Sequence, residues 1–168
     1  MNGAQVHLAV NHFPVVGVLI GALVLWTGTL IKIGAVKRTG LAIILFAALT
    51  AIPAYFSGEP AEAIIEDRPL VSESWIESHE EAADTAFALT GVLGLSAAIA
   101  LASTRIRGLG KLEKPTTRLA IVFSLLAFAA LARAAHRGGL IRHDELRDQG
   151  ATPSQSLQTQ ESEENGDD

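Results

Sequence analysis

The chain has 168 residues, of which 49% are hydrophobic, and its mean hydropathy is +0.32. It contains no cysteine, which excludes disulfides, thiolate metal sites, iron–sulfur clusters, cysteine nucleophiles and covalent c-type haem attachment. The formal net charge is -5, but acidic and basic residues are segregated along the chain. The apolar residues lie in long blocks, which is typical of an integral membrane protein rather than a soluble domain.

Four of these blocks predict membrane-spanning helices, because a helix rises about 1.5 Å per residue and the hydrocarbon layer is about 30 Å thick. Pro53 falls in the last turn of the second block, where it should bend or end the helix. Pro115 suits the first turn of the fourth, and Gly138 with Gly139 predicts its C-terminal stop. The predicted spans are residues 13–36, 40–56, 82–103 and 115–135.

Lysine and arginine are distributed unevenly between the two sides of these spans. Eight of the 13 fall in or beside the first and third loops, and five fall on the other side. The positive-inside rule therefore predicts that both termini and the long second loop lie outside, in a bacterial inner (plasma) membrane. The eight predicted to be cytoplasmic are Lys32, Lys37, Arg38, Arg105, Arg107, Lys111, Lys114 and Arg118.

The second loop and the C-terminus carry further signals. Ser57, followed by a Gly-Glu-Pro sequence, predicts a short interfacial helix over residues 59–67. Ser74 and Glu77 form a capping-box pattern, so the third helix should begin near Trp75. Residues 151–168 are polar and acidic and should be disordered. The predicted fold is all-α: an integral membrane four-helix bundle over residues 1–150, followed by this tail.

The histidines are the strongest indication of a functional site. This topology puts all of them on the outer side, at or near the ends of three predicted helices. Imidazole is the usual ligand of haem b, zinc and copper, so the arrangement predicts a cofactor site at the outer face. The five histidines are His7, His12, His79, His136 and His143.

Two kinds of cofactor fit these residues. A four-helix bundle can hold haem b between histidines on facing helices, so His12, His79 and His136 are the predicted axial ligands. Arg133 and Arg137 flank His136 and should meet the haem propionates. Zinc or copper is the alternative, and its predicted ligands are His7, His12, His79, His136, Glu59 and Glu80.

Two classes of function stay open. The first is a haem- or metal-binding redox component that transfers electrons, with a redox partner at the outer face. The second is a non-catalytic accessory or scaffold subunit whose polar outer rim docks a partner within a membrane complex. Each histidine alone could also be an interfacial polar residue, and Arg133 could snorkel toward the lipid surface. Basic residues at the cytoplasmic face are interpreted as orientation signals or contacts with anionic lipid, with no nucleic-acid partner.

Other chemistries lack their motifs. No HExxH, GxSxG or glycine-rich phosphate loop occurs. A carboxylate-bridged di-iron site needs a glutamate three residues before a histidine, and Ile76 holds that position before His79.

Two short segments resemble a known family. The N-terminal sequence HLAVNHFPVVG, with its His…His-Phe-Pro pattern, and the later GGLIRH resemble the DUF2231 family of uncharacterised four-helix membrane proteins. The resemblance covers about 140 residues and implies a four-span bundle with a haem or redox role. The SGEPAEAIIE and IESHEEAA segments depart from the shorter family pattern.

Overall fold

The computed structural model describes residues 2–65 and 73–142. These residues form helices and short turns, and no strand occurs among them. The predicted acidic tail and His143 lie outside the described residues, as do residues 66 and 67 of the predicted interfacial helix. The helices are α1 (Gly3–Val10), α2 (His12–Leu30), α3 (Gly34–Phe56), α4 (Gly58–Ile65), α5 (Glu73–Ser103) and α6 (Glu113–Arg142), and a 3-10 turn at Gly110–Leu112 precedes α6.

Four helical stretches are long and apolar enough to cross a membrane, which confirms the predicted number of apolar helices. Two of them combine a long helix with a short one, because α1 leads into α2 and α3 leads into α4 almost without a break. The stretches are Gly3–Leu30, Gly34–Ile65, Glu73–Ser103 and Gly110–Ile141.

The long helices pack side by side in a closed order. α2 contacts α3, α3 contacts α5, α5 contacts α6, and α6 contacts α2. Short connections at residues 31–33 and 104–112 make each joined pair antiparallel. The molecule therefore has two ends. The "histidine end" holds α1, α4, the start of α5 and the end of α6, and the "basic end" holds the two short connections.

Small residues dominate the interior, and large apolar side chains face outward. Most of the buried core is alanine, whereas Leu95 is 63% exposed and Leu23 is 60% exposed. This distribution is the reverse of a soluble helical protein, in which the large apolar side chains are buried. It is typical of helices that pack closely through small residues within a lipid environment.

Glycines bring α2 and α3 into direct backbone contact. A Cβ on Gly40 would lie 2.4 Å from the backbone nitrogen of Leu25, and one on Gly28 would lie 2.4 Å from the backbone nitrogen of Lys37. Real Cβ atoms do not approach backbone atoms so closely, so neither position has room for a side chain. The absence of Cβ atoms therefore sets the distance between the two helices.

The predicted boundary between the first two spans was wrong. α2 ends at Leu30 rather than near residue 36, and α3 begins at Gly34 rather than at residue 40. Lys32 adopts a left-handed φ of 57° there, and the N–H of Ile33 donates to the carbonyl of Gly28 at 3.0 Å. This is a Schellman turn with lysine in place of the usual glycine, so no glycine marks the left-handed position between its apolar neighbours.

Three other helix ends also differ from the prediction. The pair Gly138-Gly139 does not stop α6, which continues to the end of the described chain because its packing against α5 outweighs the low helix propensity of glycine. Ser74 lies inside α5 rather than before it, since α5 begins at Glu73. The helix α1 was not predicted, although Asn2 and Gln5 form a capping box at its start.

Substituting Gly40 tests the close approach of α2 and α3. Gly40→Ala should lower the free energy of unfolding by about 1–3 kcal/mol, because the methyl group overpacks a backbone contact. Gly91→Ala is the matched control, since a Cβ at Gly91 meets no atom within 4 Å. It should leave stability unchanged or raise it by up to about 1 kcal/mol. Thermal unfolding of the two purified variants, followed by the circular dichroism signal of helix, measures the difference between them. Equal stabilities of Gly40→Ala and Gly91→Ala would contradict the packing argument.

Candidate functional site

The N-terminal helix carries the first histidine of the site. The side chain of Asn2 accepts from the backbone N–H of Gln5 at 3.0 Å, and the side chain of Gln5 accepts from the N–H of Asn2 at 3.1 Å, so α1 begins with a complete capping box. α1 packs against α4 and α3. A Cβ on Gly3 would lie 2.4 Å from the carbonyl oxygen of Pro60, so α1 lies directly on the backbone of α4.

His7 projects from α1 to the end of α3. Its Nδ1 lies 3.0 Å from the Oγ of Ser57, and that hydroxyl donates to the carbonyl of Ala54 at 3.0 Å. A serine hydroxyl has one proton, so when Ser57 donates that proton to Ala54 its oxygen accepts from Nδ1 of His7. The neutral imidazole of His7 therefore carries its proton on Nδ1, and its Nε2 carries the lone pair.

His79 projects from α5 toward α6 and is held in the same way. Its Nδ1 lies 2.9 Å from the carbonyl oxygen of Ala134 and must donate to it. The ring also lies against Gly138, where a Cβ would be 3.0 Å from Cε1 of His79. In its neutral form His79 therefore also has its proton on Nδ1 and its lone pair on Nε2.

The two imidazoles lie close together and are perpendicular to each other. Their ring centroids are 6.4 Å apart and the interplanar angle is 90°. A metal bound between two imidazoles on opposite sides separates their centroids by about 6 Å, because each metal–nitrogen bond is about 2 Å long. Both rings are partly buried. Metal-binding histidines usually donate their other ring N–H to a carbonyl or a similar acceptor, as both rings do here.

Further polar groups lie at the histidine end. Arg137 donates to the hydroxyl of Ser78 at 2.7 Å, next to His79 in sequence. Tyr55 donates to a carboxylate oxygen of Asp84 at 2.6 Å, and its ring stacks on Phe87 with a centroid distance of 4.3 Å. These contacts join α5 to α6 and α3 to α5 on either side of the histidine pair.

One buried polar atom near His7 has no partner among the described residues. It is the Oδ1 of Asn11. Asn11 follows His7 by one helical turn, and its N–H donates to the carbonyl of His7 at 2.9 Å. Side chains four residues apart lie on the same helix face, so Asn11 and His7 face the same side. An unsatisfied buried oxygen is costly, and a ligand at the site would relieve that cost.

The predicted site residues separate into two groups. The structure brings together His7 and His79, whereas His12 and His136 are both exposed. Arg133, Glu59 and Glu80 are also exposed, and Arg137 is partly buried. Over residues 2–65 and 73–142, no three His, Asp or Glu side chains lie close enough to hold a metal ion together. The predicted haem, zinc and copper ligands therefore stay predictions, and the geometry favours His7 with His79 among them.

The sequence did not indicate the residues that orient the two rings. Ser57 was interpreted only as a helix cap, and Gly138 as a helix stop, yet Ser57 accepts from His7 and Gly138 makes room for His79. Ala134 acts through its backbone carbonyl, for which a sequence carries no signal. Of these contacts, only the one between His79 and Gly138 has a signal in the sequence, which is a glycine within a helix.

No family model, curated protein or solved structure matches this chain. The resemblance to the DUF2231 family stays a prediction based on its short motifs.

Substitutions at the two adjacent glycines test how His79 is held. Gly138→Ala should displace the imidazole and break its bond to Ala134, at a cost of about 1 kcal/mol that the better helix propensity of alanine offsets. The substitution should therefore change the NMR signals of the His79 nitrogens and leave the free energy of unfolding almost unchanged. Nitrogen-15 NMR of labelled histidine should show a protonated Nδ1 for His79 in the wild type and loss of that His79 signal in the variant.

Gly139→Ala is the control, because a Cβ at Gly139 meets no atom within 4 Å. It should keep the His79 signal of the wild type. If Gly138→Ala also keeps it, the glycine does not position the ring.

Proposed function

We propose that the protein is an integral membrane redox component that binds b-type haem or a metal ion through His7 and His79 at its outer face. The observation that carries this proposal is the imidazole pair, whose ring centroids lie 6.4 Å apart and in which a protein oxygen lies within hydrogen-bond distance of each Nδ1. Haem iron or copper, when bound there, supplies one-electron transfer.

The membrane part of the proposal is supported by three features. Four helical stretches are long and apolar enough to span a bilayer. Their large apolar side chains face outward while the interior is rich in alanine. Lysine and arginine are concentrated at the basic end, so the positive-inside rule puts that end in the cytoplasm and the histidine end outside. We propose a bacterial inner membrane with both termini outside.

The number of available ligands bears on the choice of cofactor. Bis-imidazole haem takes two axial ligands from the protein, and the histidine pair supplies two. Zinc usually takes four ligands, so it would need two more beyond the imidazoles, such as Asn11 and a water molecule. Arg137 is partly buried and donates to Ser78, the neighbour of His79 in sequence, and its guanidinium is suited to pairing with a propionate. These points favour haem b over zinc or copper.

Substitution of the histidine pair tests the proposal. His7→Ala and His79→Ala should each remove most of the bound cofactor, because each deletes one of two strong bonds. The double variant should be little worse than either single variant, as expected for residues that act as a unit. Ser57→Ala should weaken binding about tenfold without abolishing it, since Ser57 only orients His7. The measurement is visible absorption, together with elemental analysis, per folded protein.

His12→Ala and His136→Ala are the controls, because both side chains are exposed. They should keep full occupancy. Loss of cofactor in these variants and not in His7→Ala would return the axial role to the ligands first predicted from the sequence. A colourless wild-type protein without stoichiometric metal would reject the redox proposal and favour a non-catalytic accessory subunit of a membrane complex.

Reporter fusions test the orientation separately. A reporter inserted at Lys111 should be active in the cytoplasm, and one fused to the C-terminus should be active outside. The physical reason is the eight-to-five distribution of Lys and Arg between the two sides. Activity of both reporters in one compartment would contradict the four-span topology.

A further inference from the structure

The two imidazoles of the candidate site differ in how firmly they are attached to the molecule. His79 lies on α5, where its Nδ1 is 2.9 Å from the carbonyl oxygen of Ala134 and its ring lies against Gly138. α5 and α6 pack extensively against each other. His7 lies on α1, which contains no buried residue. One ligand of the proposed site therefore belongs to the packed long helices, and the other is carried by a peripheral helix.

α1 is held to the rest of the molecule by few interactions. The hydrogen bond between His7 and Ser57 connects it to the end of α3, and Gly3 lies on the carbonyl group of Pro60 in α4. The sequence of α1, GAQVHLAV, contains no Lys, Arg, Asp or Glu that could add an ion pair. Elements with few buried contacts open at a much lower free energy than the whole protein unfolds. We therefore expect α1 to detach while the long helices stay packed.

The joint between α1 and α2 is weakened by a proline. Pro14 lies in the first turn of α2 and has no N–H, so it cannot donate to the carbonyl of Val10, the last residue of α1. Proline is a usual cause of helix kinks. Asn11 stands between the two helices and makes no side-chain cap, and its buried Oδ1 has no partner among the described residues. That oxygen raises the free energy of the docked state, and a movement of α1 that admits water would remove the cost.

We infer that α1 is a gate for the cofactor: it turns about Asn11 to open the site, and it closes to bring His7 beside His79. The inference rests on the proposed function, because only a shared cofactor gives the two rings a common task. With α1 displaced, His79 stays in place on the long helices and is the first ligand. Closure is favoured once the site is filled, because both imidazoles are available to one ligand only in the closed form.

Hydrogen exchange of the full-length protein in detergent, without added cofactor, measures the opening of α1. Gly3→Ala should speed exchange of the hydrogen-bonded α1 amides about tenfold, because its Cβ would lie 2.4 Å from the carbonyl oxygen of Pro60. Pro14→Ala should slow exchange about tenfold, because it supplies the missing N–H donor to Val10. Gly58→Ala is the matched control at the start of α4, where a Cβ meets no atom within 4 Å, and it should leave this exchange unchanged. Wild-type exchange in both Gly3→Ala and Pro14→Ala would overturn the gate.

The rate of cofactor uptake distinguishes a gate from a frayed helix end. Haemin is the probe, and the Soret absorption that develops after it is mixed with the cofactor-free protein gives the rate. Uptake should be about tenfold faster in Gly3→Ala and about tenfold slower in Pro14→Ala, since it is proportional to the fraction of open molecules. Equal uptake rates in proteins whose α1 exchange differs would overturn the gate.

A disulfide between α1 and α4 holds the gate closed. The chain has no cysteine, and a Cβ on Gly3 would lie 2.8 Å from the Cβ of Pro60. A shift of about 1 Å in α1 therefore gives the ordinary Cβ separation of a disulfide. The oxidised double variant Gly3→Cys/Pro60→Cys should take up haemin about tenfold more slowly than the same protein after reduction. Pro60→Cys alone, treated with the same oxidant, controls for the thiol and should keep rapid uptake.

Failure of the gate and failure of the proposed function give different results. If haemin binds through His7 and His79 at the same rate in the oxidised and reduced double variant, the gate is overturned and the proposed function stands. If the wild-type protein binds neither haemin nor a stoichiometric metal ion, the proposed function is rejected and the gate with it.

Discussion

The backbone contact between α2 and α3 is the constraint on which the rest of the structure depends. Gly28 and Gly40 bring the two helices to a separation that no larger residue allows. α1 and α4 are near-continuous extensions of these helices, so the same contact sets where α1 lies against α4. His7 reaches the hydroxyl of Ser57 because α1 and the end of α3 lie at the same level along the helix axes. Helix packing through small residues thus positions a polar site at the far end of the two helices.

The histidine pair shows how a few oxygen atoms can orient two imidazole rings. Ser57 and the carbonyl of Ala134 each take the proton of one Nδ1, which fixes both the rotation of the ring and the tautomer. The two rings come from different helices, one from α1 and one from α5. His7 is held at the end of α3 and His79 is held by α6. A cofactor bound to both rings would therefore link α1 to the rest of the protein and raise the free energy of unfolding.

The two ends of the molecule differ in chemistry as well as in charge. The histidine end carries its polar groups in hydrogen-bonded pairs between helices, such as Tyr55 with Asp84 and Arg137 with Ser78. The basic end has one interhelical ion pair, Lys37 with Glu113, among an excess of cations. A membrane protein needs this asymmetry for orientation, since positive charge stays on the cytoplasmic side.

The sequence by itself determined the number of apolar helices, because long apolar blocks report directly on length and composition. It also excluded thiolate ligands, since the chain has no cysteine. It did not determine which histidines meet: His12, His79 and His136 were the predicted axial ligands, and the rings that lie together are those of His7 and His79. That choice depends on the rotation of each helix about its axis and on backbone carbonyls, which only tertiary packing fixes.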